Sequence, residues 1–77
     1  MAVMTETKLK QMRKALDLTQ EDFAIMAGLR INTYRTAEQR GRTSYPTAQS
    51  ILRALNTSRV ARGMPVITLE DLELDIV

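Results

Sequence analysis

The run from Leu18 to Gly28 constrains this chain more than any other stretch. Thr19 and Asp22 stand at the spacing of a capping box. The Thr19 hydroxyl can accept the amide of Asp22, and the carboxylate can reach back to the amide of Thr19. Leu18 before the cap and Phe23 after it have the spacing of a hydrophobic staple. Glu21 and Asp22 put negative charge where the dipole of a new helix favours it. The helix opened in this way is expected to bury Phe23, Ala24, Met26 and Ala27 and to stop at Gly28. A glycine there takes the left-handed conformation with no Cβ penalty. After Gly28 and Leu29, residues 31–40 hold no glycine or proline until Gly41. The expectation is two helices joined by a very tight turn. The first begins at Thr19; the second spans Ile31–Arg40 and turns Tyr34, Ala37 and Glu38 inward.

The rest of the chain also reads mostly helical. Leu9, Met12 and Leu16 recur at helical spacing with basic residues between them, which predicts an amphipathic helix over residues 7–16. Asp17 and Leu18 separate it from the next. Residues 42–46 are loop by composition. A further helix starts near Pro46 or Thr47, buries Ala48, Ile51, Leu52 and Leu55, and runs through Val60 and Ala61 to a stop at Gly63 and Pro65. Thr68 and Asp71 repeat the capping box, with Ile67 and Leu72 as its staple, so a short fifth helical turn is expected. Residues 72–77 alternate apolar and acidic side chains, a pattern that fits a strand or a frayed tail.

Composition narrows the chemistry. The chain has no cysteine and no histidine. That removes disulfides, thiolate metal sites, the commonest zinc ligand and the commonest general base. Acidic pairs such as Glu70 and Asp71 have no His, Cys or glycine loop beside them, so no catalytic constellation is read and an enzyme is set aside. No metal and no cofactor are expected. The five methionines read as core filler or loop. Length, 77 residues, and 44% apolar content predict one domain over residues 1–77. No apolar run approaches the roughly 18–20 residues of a membrane span. Charges scattered through residues 1–14 leave no leader-like apolar stretch, and the expected location is the cytoplasm.

The charge is asymmetric. Residues 1–63 hold all 11 Lys and Arg against five acids, whereas residues 64–77 hold four acids and no base. Seven arginines lie from Arg30 to Arg62 with one acid, Glu38, among them. Such a field is the footprint of a polyanionic partner. On a helix over 31–40, Asn32, Arg35, Thr36 and Gln39 fall opposite Tyr34, Ala37 and Glu38. Asn pairs bidentately with adenine, Thr meets a base or a thymine methyl, and Arg reaches guanine or phosphate. No acid interrupts this face. Tyr34 reads as core, and Glu38 as structural, bonding a backbone amide or an arginine. Arg53, Arg59 and Arg62 read as cover for the outer face of the fourth helix.

Leu18-Thr19-Gln20-Glu21-Asp22-Phe23-Ala24, followed by Gly28-Leu29, resembles the LTQxxLAxxxGV signature of the Cro/repressor (XRE-type) helix-turn-helix family. Thr33-Tyr34 and Ala37-Glu38 occupy its TIxxIE positions. Pro46-Thr47 resembles the PS or PT that opens its fourth helix, and residues 68–72 resemble its SLDEL fifth helix. The match covers residues 8–55 and 67–72. The resemblance implies an all-α, compact five-helix bundle of the lambda-repressor-like DNA-binding type. In that type the third helix lies in the major groove of double-stranded DNA, often as a homodimer on a palindrome. By position, Ile31, Asn32 and Thr36 match the family's base readers. Gln20 matches a phosphate contact whose amide also braces the reading helix, and Gln39, Arg40 and Arg42 match the phosphate-touching helix end and loop. Three departures stand out. Arg30 replaces a Ser or Thr cap, Arg40 adds one residue before the expected glycine, and residues 56–66 are longer than the usual link.

Two functions are therefore carried forward. The first is a sequence-specific DNA-binding regulator of repressor type, with residues 19–40 as its reading core. The second is an interaction module, antitoxin-like or adaptor, whose acidic tail over residues 67–77 adds to a protein partner's sheet. Self-association through Leu69, Leu72, Leu74 and Ile76 is expected, because these are more apolar side chains than so small a domain readily hides.

Overall fold

The computed structural model describes residues 6–77. The first five residues of the stretch read above as having no leader lie outside the described residues. Four α-helices follow one another: α1 Lys8–Ala15, α2 Gln20–Ala27, α3 Ile31–Arg40 and α4 Tyr45–Ala61. A two-residue strand, β1 Arg42–Thr43, lies between α3 and α4. A 3-10 turn at Glu70–Leu72 and a second short strand, β2 Asp75–Ile76, complete the chain.

The helix ends are set locally. Thr7 caps α1 by accepting the Lys10 N–H at 3.3 Å, and Thr19 caps α2 by accepting the Asp22 N–H at 3.0 Å. The reciprocal carboxylate bond of the Thr19 box is not among the hydrogen bonds formed by the described residues. At Thr68 the opposite half is made: the Thr68 N–H donates to Asp71 Oδ2 at 2.9 Å. That backbone donor, more than any other contact, holds the Asp71 carboxyl below its ordinary pKa. Gly28, at φ +70°, ends α2. Its N–H donates to Ile25 O, and the Leu29 N–H donates to Ala24 O at 2.9 Å, so two orphan carbonyls find partners within one turn.

Among the described residues the expected five helices are four. The fifth is only a single 3-10 turn, because Glu73 swings to φ +53° directly after Leu72 and the next residues leave to form β2. The stretch read as loop, residues 42–46, instead supplies β1 and the first turn of α4. Ser44 is the N-cap of α4, and Pro46 sits in its first turn, where the missing N–H costs nothing. The tail is a strand rather than frayed. β2 pairs in parallel with β1, Arg42 opposite Asp75 and Thr43 opposite Ile76.

Leu9, Leu16, Phe23, Tyr34, Ile51, Leu55 and Leu72 form the buried centre. The Phe23 and Tyr34 rings pack tilted by 35°, 4.9 Å between centroids, a separation within the range of favourable aromatic pairs. α2 packs against both α3 and α4, and α1 against the 3-10 turn. Two burial expectations fail. Met26 is 44% exposed, since α2 is only eight residues long and its core-facing strip is taken by Phe23 and Ala24. The tail leucines, read as surplus apolar surface, are absorbed: Leu72 is buried, and Leu69 and Leu74 pack against the core. Among the described residues no helix is long and apolar enough to cross a membrane.

Candidate nucleic-acid interface

α3 presents its outer face because its inner face is held from three sides. Tyr34, Ala37 and Glu38 are buried, while Asn32, Arg35, Thr36 and Gln39 are exposed. Glu38 lies under the helix and accepts from Arg13 twice, Nε to Oε2 and Nη2 to Oε1, each at 2.9 Å. Arg13 Nη1 also donates to Leu18 O at 2.7 Å. One guanidinium therefore ties α1 to the entry of α2 and to α3.

The network continues to the surface. Gln20 Nε2 donates to Glu38 Oε1 at 3.2 Å, and Gln20 Oε1 accepts from Arg35 Nε at 3.3 Å. The brace from α2 to the third helix is thus present and runs through both ends of one amide. For a phosphate Gln20 retains one amide hydrogen and its own N–H in the first turn of α2.

Burial by itself would raise the Glu38 carboxyl, but the Arg13 guanidinium, helped by Gln20, outweighs it and holds the pKa below the ordinary carboxylate value. Glu38 in turn raises Arg13. Burial pushes the Tyr34 phenol up, and the neighbouring Glu38 charge adds to that. Tyr34 Oη is the one buried side-chain polar atom without a hydrogen-bond partner among the described residues.

The expected contact residues fall into three groups. Asn32, Thr36, Arg40 and Arg42 line one open groove of about 600 Å³. Thr36 spends its hydroxyl proton on Asn32 O at 2.9 Å, which leaves its oxygen as an acceptor and its methyl free. Arg35 and Gln20 are bonded to each other and do not line the groove. Ile31 is half-buried against the core, and Gln39 is exposed; neither lines the groove. Arg30 caps α3 by backbone only, with no side-chain bond.

Four further participants lie outside the expected set. Arg13 sits four residues after Leu9 and three before Leu16, so its signal is a cation on an otherwise apolar stripe. Thr33 and Thr43 also line the groove. So does Val77, brought there by the β1–β2 pairing: the alternation over residues 72–77 fits a strand but does not say which segment it pairs with.

Two short helices joined by a glycine turn, the second braced from beneath and showing an acid-free polar face, define a helix-turn-helix DNA-binding domain. The helix-turn-helix family model matches residues 9–61, more than half of the chain. The chain belongs to that family, in its Cro/repressor (XRE) type. No match came from the curated proteins or from the solved structures.

Proposed function

We propose that this chain is a sequence-specific reader of double-stranded DNA, a small transcriptional regulator of repressor type. α3 enters the major groove, where Asn32, Arg35, Thr36 and Ile31 meet base edges. Arg40, Arg42, Gln39 and the start of α2 at Gln20 meet phosphates on either side. The supporting observation is the shared groove: two base-competent side chains, Asn32 and Thr36, open onto the same surface as two arginines. Phosphate contacts would set register and base contacts would select sequence.

The test is selection of duplexes from a random pool by the purified chain, followed by titration of the selected and a scrambled duplex at several salt concentrations. The expected result is enrichment of one short motif and affinity that falls steeply with salt. Absence of binding to any duplex at low salt would overturn the reading and favour the protein-interaction module. A homodimer on a two-fold site is a finer element of the same proposal. With the tail leucines packed inside, its support is the apolar surface still exposed at Val66 and Ile76. Sedimentation free and on DNA tests it; a monomer in both conditions rejects it.

A further inference from the structure

The groove beside α3 has a wall that neither helix of the hairpin supplies. α3 ends at Gly41, at φ +67°, whose N–H donates back to Ala37 O at 2.9 Å. Arg40 precedes this pivot and Arg42 follows it. That bond fixes the end of α3 and Arg40 with it, but the chain beyond the left-handed glycine, Arg42 included, gains nothing from it. β2 holds that part through backbone alone. The Asp75 N–H donates to Gly41 O at 2.8 Å, and the Val77 N–H donates to Thr43 O at 3.1 Å. The carbonyls on either side of Arg42 are therefore both pinned, and Val77 itself lines the groove with Asn32 and Thr36.

We propose that β2 is a positioning element of the DNA surface: the N–H groups of Asp75 and Val77 hold Gly41 and Thr43 so that Arg42 is pre-set to meet phosphate. The proposal rests on the DNA-reading function above. Holding the arginine-bearing segment before encounter reduces the ordering cost of binding. The role belongs to the backbone. The Asp75 carboxylate, in register with Arg42, opposes an incoming phosphate rather than helping it. The acidic tail thus contributes through its main chain in spite of its charge.

The test compares wild type with Asp75→Pro, Val77→Pro and Asp75→Ala in the full chain. Each is titrated on the selected duplex and on a scrambled one at several salt concentrations. The proline variants each delete one of the two N–H groups. Asp75→Pro should bind both duplexes roughly tenfold more weakly. Its salt slope should shrink by about one unit, and its preference between duplexes should be unchanged. Val77→Pro should move affinity and slope in the same direction. Asp75→Ala keeps the N–H and should bind at least as tightly as wild type. Val77 is 69% exposed, so its proline variant keeps the fold if Asp75→Pro does not; circular dichroism checks both. Wild-type affinity and slope in Val77→Pro would overturn the proposal, as would an equal loss in Asp75→Ala. A wild type that binds neither duplex would instead remove the DNA reading itself.

Discussion

Arg13 and Glu38, 25 residues apart, meet in a two-pronged ion pair that crosses the core from α1 to α3. Both side chains are almost shielded from water, 11% and 1% exposed. Taking two charges out of water is costly, and the mutual attraction repays that cost only with full hydrogen bonding. Here the carboxylate gains Gln20 and the guanidinium gains Leu18 O, so the pair is well satisfied.

Removing one partner leaves the other charge buried. Glu38→Ala should cost about 3–5 kcal/mol, a large part of the roughly 4–12 kcal/mol available to a chain of this length. The double variant Arg13→Met with Glu38→Met should recover most of that loss. Urea unfolding of the wild type, Glu38→Ala and the double variant makes the comparison. A double variant no more stable than Glu38→Ala would show that the ion pair itself, not the avoidance of an orphan charge, stabilises the fold.

The same pair makes stability pH-dependent. The folded Glu38 carboxyl lies below its ordinary value of 4.5. Its contribution is therefore complete above that value and is lost as pH falls through the lower folded one. The melting temperature should be flat near neutrality and drop below about pH 4.5. Glu38→Gln should start lower and fall less steeply. Some slope should persist in it, since Glu6, bonded to Lys14, and Asp71, bonded to the Thr68 N–H, are shifted the same way. An identical acid profile in Glu38→Gln and wild type would place the sensitivity elsewhere.

The two halves of the α2 capping box should differ in weight. Thr19 accepts the Asp22 N–H, so Thr19→Ala should cost about 1 kcal/mol. Asp22 returns no bond and acts only through the helix dipole, so Asp22→Asn should cost a few tenths of a kcal/mol. Chemical denaturation orders the two variants; the reverse ranking would mean that the carboxylate closes the box in solution.

On DNA, Asn32 and Arg42 should separate specificity from affinity. Arg42→Ala should weaken all sequences about equally and reduce the salt slope by roughly one unit. Asn32→Ala should cost roughly 1–3 kcal/mol on the preferred duplex and little on a scrambled one. Titrations of both variants on both duplexes make the comparison. An unchanged preference in Asn32→Ala would remove α3 as the reader.

What could be read from the chain is what is decided within a few residues. Thr7, Thr19, Gly28 and Gly41 act on amides and carbonyls one turn away, so α1, α2 and α3 appear where their caps and breakers lie. The inward set Tyr34, Ala37 and Glu38 follows from helical spacing alone. Tertiary structure decided everything that joins distant segments. Glu38 reads as structural from its place on the inward face, but its partner Arg13, a cation on the Leu9–Leu16 stripe, is named only by the fold that brings the two together. Asn56 takes both the N–H and the carbonyl of Ile67, at 2.8 and 3.0 Å, and so ties the long link to α4. No local pattern marks that bond. β1 and β2 are each two residues long; the alternation over residues 72–77 allows β2, but β1 has no such pattern and nothing local names its partner. They pair because α3 stops at Gly41 and the 3-10 turn stops at Glu73, which leaves two backbones side by side with hydrogen bonds to satisfy.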